Sequence, residues 1–256
     1  MKVAIVLAHP ENQSFNGHLA RVAETTFREN GHEVETSDLY GADFDPRESH
    51  RHFSVRRHLD RFDPQSEQRF SWDHHALPND VKREMDRILW ADIVILQFPL
   101  WWFGMPAILK GWMDRVFVYG GLYSGSQRHD KGPCRGKQAL MSVTTGSSEA
   151  ACSFSGREGD TRLMLWPCLY SLRYLGFSVI EPFVLHGVRG GLEGEAAASL
   201  RQHLSEKEQE YTSLLRNIES APLMRFNSDD DWDEKGKLKP NAPSYSPFIR
   251  HSLELD

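Results

Sequence analysis

At 256 residues the chain can bury one full α/β core with an appendage, and an apolar share of 39% leaves polar loops outside that core. A net charge of −6 and a pI of about 6.1 argue against nucleic acid as a partner, because binding a phosphate backbone needs a basic surface. No apolar run reaches the roughly 20 residues of a membrane helix. No leader is expected before the first strand at Lys2, and three scattered cysteines without a C-x-x-C suit a reducing compartment. A cytoplasmic protein with no membrane insertion is therefore expected.

Val3–Ala8 is an uninterrupted apolar run, as expected of a parallel strand buried on both faces. It passes into H-P-E-N-Q-S-F-N, a loop that opens a helix reaching Glu29, with Ser14 or Asn12 as N-cap. Asn30-Gly31 closes that helix, and His32–Ser37 is a second strand centred on Val34. Gly41–Pro78 has no sustained period and is rich in arginine and histidine. It is read as an insertion covering one end of the sheet, since loops of that length are usually functional or excursions. Asn79 caps a helix to Trp90. A third strand, I-V-I-L at Ile93–Leu96, runs on to Pro99, which has no N–H to donate. Trp101, Trp102 and Phe103 follow, and Pro106 opens a helix with Ile108, Leu109, Trp112, Met113 and Val116 at helical spacing. A Gly-rich loop over 119–136 leads to a fourth strand at Gln138–Thr144, ending in T-T-G-S-S. A helix at Thr161–Leu175, a fifth strand at Phe177–Leu185 and a long charged helix at Glu195–Glu219 complete the order.

Alternating strands and helices give an α/β class with a parallel sheet. Five strands with candidate ligand loops after strands one, three and four suggest a flavodoxin-like, five-stranded parallel sheet of order 2-1-3-4-5 with helices on both faces. The expected organisation is a catalytic unit over residues 1–220, with the insertion at 41–78, and an extended tail over 221–256.

Three loops carry candidate chemistry. The helix N-terminus after His9 could hold a pyrophosphate with backbone N–H groups, or be an ordinary capped turn. Trp101-Trp102-Phe103 could be core, or a wall for a flat ring at a strand's carboxyl end. Thr144-Thr145-Gly146-Ser147 could bond a carbonyl-rich heterocycle, or be a turn satisfied locally. The histidines at 50–58 and His74-His75 lack metal-ligand spacing and are read as a solvated basic loop; no metal is expected. Cys152 could be a reactive thiol, although no base is predicted near it.

Together these loops resemble the flavin-dependent NAD(P)H:quinone reductases of the DT-diaphorase family. The carrying residues are H-P-E-N-Q-S-F-N at His9, Q-F-P-L-W-W-F-G-M-P-A-I-L-K-G-W at Gln97, D-K-G-P at Asp130, T-T-G at Thr144, L-W-P at Leu165 and G-F-x-V-x-E-P at Gly176. The resemblance implies bound FAD and a homodimer with active sites at the interface. It implies that His9, Phe15 and Asn16 hold the phosphates and adenosine side. Leu100, Trp101, Trp102 and Phe103 would line the isoalloxazine, and Thr144, Thr145, Gly146 and Ser147 would bond its polar edge. Trp102, Phe103 and Tyr123 would form the pocket where nicotinamide and quinone stack in turn, in a ping-pong two-electron reduction. Where animal members carry a Tyr and a His that support charge on the reduced flavin, this chain has Cys152 and Glu158, the candidate catalytic pair. Gly125 stands where a second pocket tyrosine would be. Some relatives are ancillary subunits of potassium-efflux transporters, which gives the alternative expectation of a flavin-binding regulatory subunit.

Overall fold

The computed structural model describes residues 1–252. Its parallel sheet runs β2(Glu33–Asp38), β1(Lys2–Leu7), β3(Ile93–Pro99), β4(Gln138–Thr144), β5(Ser178–Val179), and β6(Phe183–Leu185) also pairs with β4. This is the flavodoxin-like order 2-1-3-4-5 with a sixth strand. Strand β3 shows why the central runs are continuously apolar. Val94, Leu96 and Phe98 pack into one core layer, while Ile93 and Ile95 pack into the other, because successive side chains point to opposite faces.

Helices α1(Phe15–Glu29) and α6(Gly194–Arg216) cover one face, where Leu19, Ala23 and Phe27 meet Tyr211 and Leu215. Helices α3(Asn79–Trp90), α4(Ala107–Val116) and α5(Thr161–Tyr174) cover the other through Met85, Ile88, Leu109, Trp112, Leu165 and Leu169. Pro78 and Pro106 occupy the N-cap positions of α3 and α4, so Asn79 and Ala107 are the first helical residues.

Two expectations are corrected. The single fifth strand is two short ones. Between paired positions, β4 advances from Ala139 to Ser142 while the partner chain advances from Val179 to Phe183, one residue more. The extra residue bulges out, and Pro182 beside it cannot donate to a ladder. The Glu181 N–H turns away to the Pro222 carbonyl at 2.9 Å.

The insertion is not structureless. It contains a 3-10 turn at His50–His52 and a helix, α2(Pro64–Asp73), whose N-cap Asp63 accepts the Ser66 N–H. Its buried face is Glu67, Gln68 and Ser71, which gives no apolar period to read.

After α6 the chain folds back. Met224 N–H donates to Val179 O at 2.8 Å, so Pro222–Met224 covers the outer edge of β5. Buried Asn227 then donates to Asp231 Oδ2 and Pro243 O, and Phe248 stacks on Trp166 with ring centroids 4.9 Å apart. Residues 253–256 of the expected tail lie outside the described residues. Among the described residues no helix is long and apolar enough to cross a membrane.

Candidate active site

The loops after β1, β3 and β4 meet at the carboxyl edge of the sheet. Trp101 and Gly104 exchange backbone hydrogen bonds of 2.9 and 3.0 Å, closing a two-residue hairpin. Its central residues, Trp102 and Phe103, both have positive φ, 50° and 62°. That is the type I′ geometry, which glycine and asparagine favour and bulky aromatics adopt at a cost. The turn holds Trp102 95% exposed and Phe103 58% exposed. The N–H groups of these two residues have no acceptor within the described chain.

Opposite the turn stands the Thr144–Ser147 loop. Thr145 N–H donates to Leu185 O, and Ser147 N–H to the Thr145 hydroxyl, whereas the Gly146 N–H has no acceptor among the described residues. Between turn and loop lies a cleft of about 270 Å³. Leu100, Trp102, Phe103, Thr145, Gly146 and Ser147 line it, and Cys152, Glu158 and Met164 close its far side. Aromatic faces with free N–H donors at the rim suit a flat ring carrying carbonyl oxygens and ring nitrogens.

Cys152 and Glu158 come together here. Cys152 is buried; its N–H bonds Ser148 O, and its carbonyl accepts the N–H of Thr161 at the start of α5. Glu158 N–H bonds Ala151 O, and its carboxylate accepts from Arg157 Nε at 3.2 Å. Arg157 is mostly exposed, so the pair is an ion pair at the rim of the cleft.

Asn16 stands beneath the site. It is 3% exposed, donates from Nδ2 to the Thr144 hydroxyl at 2.8 Å, and accepts at Oδ1 from Gln97 Nε2 at 2.9 Å. Its side chain thereby ties α1 to β3 and β4, while its backbone belongs to the first turn of α1. Ser14 caps that helix by accepting the Gly17 N–H at 3.1 Å. A Cβ at Gly17 would lie 2.2 Å from the Asn12 carbonyl oxygen, so only glycine lets the loop wrap this closely. His9 Nδ1 lies 3.0 Å from the Glu11 amide nitrogen and 3.1 Å from the Glu11 carbonyl oxygen, which ties the ring to the loop. The His9 ring lies 5.8 Å from the Trp101 ring, and Phe15 packs against His18.

A second cavity of about 490 Å³ adjoins the cleft, and Cys152 lines both. Its walls include Ser148, His186, His203 and Lys207. His203 Nε2 donates to His186 O at 3.0 Å, and His186 Nε2 is buried without a partner. Burial pushes the His186 pKa down, keeping its ring neutral.

Tyr123 is not in the cleft with Trp102 and Phe103. It lines a separate recess of about 370 Å³ with Gln65, Met113, Phe117, Tyr170 and Tyr174. Sequence reasoning did not single out Met164, His186, Gln65 or Tyr174; only the fold brings them to a site.

The model of the flavodoxin-like fold family matches residues 1–210. The chain belongs to that family. Within it, 189 residues are 39% identical to NAD(P)H dehydrogenase (quinone) 1 of Cavia porcellus, covering 73% of this chain and 69% of that protein. Ribosyldihydronicotinamide dehydrogenase (quinone) of Mus musculus is 39% identical over 201 residues, covering 78% of this chain and 87% of that protein. A candidate quinone reductase from Klebsiella pneumoniae superposes with a TM-score of 0.84 at 29% identity, covering 94% of each chain. This flavodoxin-like protein is accordingly an oxidoreductase of the NAD(P)H:quinone type.

Proposed function

We propose that the chain binds FAD and passes two electrons from NAD(P)H to a quinone. The observation that carries this reading is the cleft itself: an aromatic turn held in a costly conformation faces a loop with a free N–H donor. In this reading Trp102 and Phe103 stack on the flavin ring. The N–H groups of Trp102, Phe103 and Gly146 bond its polar edge. The N-terminus of α1 and His9 receive the pyrophosphate.

The adjoining cavity favours FAD over FMN. It continues past Cys152 and offers His186, His203 and Ser148 to an adenosine half that FMN lacks. Bound FAD supplies the acceptor and donor of the hydride. The net change is NAD(P)H, quinone and a proton giving NAD(P)⁺ and hydroquinone, with the two substrates taking turns at one face. Glu158, when ionised, can only accept hydrogen bonds and opposes negative charge in the cleft. The Arg157 guanidinium beside it offsets that charge.

The separation of Tyr123 from Trp102 and Phe103 supports a homodimer. A second copy that laid its Tyr123 recess over the exposed turn would complete a stacking pocket and cover two large aromatics.

Chromatography of the cofactor released by heating the purified protein tests the FAD assignment. FAD at about one per chain is expected. FMN alone, after loading with an equal mixture of the two, would assign the adjoining cavity some other use.

A further inference from the structure

Tyr123 is held by its own turn, by Tyr174 of α5 and by Gln65 of α2. Its carbonyl accepts the Gly120 N–H at 2.7 Å, and its ring lies 5.4 Å from that of Tyr119 and 5.6 Å from that of Tyr174. Gly120, at φ 97°, and Gly121 let α2 press against this turn. A Cβ at Gly120 would come within 2.6 Å of Arg69 Cδ, and one at Gly121 within 3.3 Å of Trp72. Buried Gln68 locks the same contact from inside, donating to Glu48 Oε2 and Asp114 O and accepting the Tyr119 N–H. The remaining freedom is the direction of the phenolic hydrogen. Gln65, one turn before Gln68 and Arg69, donates from Nε2 to Tyr123 Oη at 3.2 Å.

We infer that Gln65 is a positioning residue for quinone: by donating to Tyr123 Oη it frees the phenolic hydrogen to be donated to a quinone carbonyl in the recess. This rests on the proposed quinone reduction and deepens it. A phenol accepting an N–H can still donate its own hydrogen, and the two bonds reinforce one another. A carboxylate at position 65 can only accept, so it would draw the phenolic hydrogen away from the substrate. Leucine would leave the hydroxyl unoriented. Other charged groups in the recess are Lys110 and Asp114, which pair with each other on α4. Tyr119, Tyr170 and Tyr174 are the remaining titratable neighbours.

Steady-state kinetics of the full-length, flavin-loaded protein test this with a benzoquinone and with ferricyanide, an acceptor without a carbonyl. Gln65→Leu is expected to raise the quinone KM about fivefold, the loss of one neutral hydrogen bond, with ferricyanide turnover unchanged. Gln65→Glu is expected to raise it at neutral pH and to recover as acid protonates the introduced carboxylate, a step absent from wild type. Position 65 is exposed in the first turn of α2, where an acidic residue is well tolerated, so this variant is expected to fold. In a Tyr123→Phe background both substitutions should be silent. A Gln65→Glu profile matching wild type at every pH, or effects that persist without the hydroxyl, would overturn the assignment of Gln65 while leaving quinone reduction standing. Failure of wild type to reduce quinone at all would overturn the underlying reading as well.

Discussion

Replacing Trp102-Phe103 by Asn-Gly is expected to stabilise the fold while crippling the site. Both positions have φ values that asparagine and glycine accept readily and that aromatics accept at a cost of about 1 kcal/mol or more each. Trp102, 95% exposed, returns nothing to the core of a single chain, and Phe103, 58% exposed, returns little. Urea denaturation of the flavin-free protein should therefore show a gain of about 1–2 kcal/mol. The same change removes the wall of the cleft. Stacking on an aromatic face contributes about 1–3 kcal/mol per ring, so flavin affinity should fall by about 5- to 150-fold, and turnover with it. If stability fell and flavin binding held, the turn would owe its shape to packing rather than to a ligand.

Glu67→Ala is expected to cause the largest loss of stability. Glu67 is fully buried, and its carboxylate accepts the N–H groups of Arg57 at 2.7 Å and His58 at 3.1 Å. Arg56 Nη2 lies 3.7 Å away on a side chain that is itself mostly buried. Removing the carboxylate leaves two amides without their acceptor and takes the counter-charge from Arg56, whose Nη2 keeps its bond to the Arg61 carbonyl. Breaking a buried pair costs about 3–5 kcal/mol, and in a chain of this size each kcal/mol moves the melting temperature about 2–4 °C. A drop of about 6–20 °C is therefore expected, with Glu67→Gln in between because it keeps one acceptor. Because α2 carries Gln65 and Gln68, the alanine variant should also raise the quinone KM. A loss under about 1 kcal/mol would mean that the insertion is held elsewhere.

These two predictions mark what a linear reading could and could not reach. The apolar runs of β1, β3 and β4 are visible because burial on both faces demands them, whereas the sheet order was only suggested by where the candidate ligand loops fall. The aromatic turn was legible as residues, but its positive φ values were not, because nothing local forbids the ordinary alternative. Helix α2 was hidden because its buried face is Glu67, Gln68 and Ser71, which are polar and give no apolar period. The break between β5 and β6 needed the register against β4. At the site, sequence motifs reached the residues that line the cleft except Met164. The side chain of Asn16 bonds Gln97 and Thr144, a buried arrangement that only three-dimensional neighbours reveal, while its backbone stays in the first turn of α1. Tyr123 was expected beside Trp102 and Phe103, yet it lines another recess, and the distance between them is itself the reason to expect a second copy.

The most direct test of the central claim is an anaerobic visible spectrum of the flavin-loaded protein, taken before and after NADH or NADPH and then after a benzoquinone. The account predicts that the flavin band near about 450 nm bleaches with at least one of the two reductants and returns when quinone is added. A bound flavin whose band neither reductant touches, or a protein that retains no flavin at all, would contradict it.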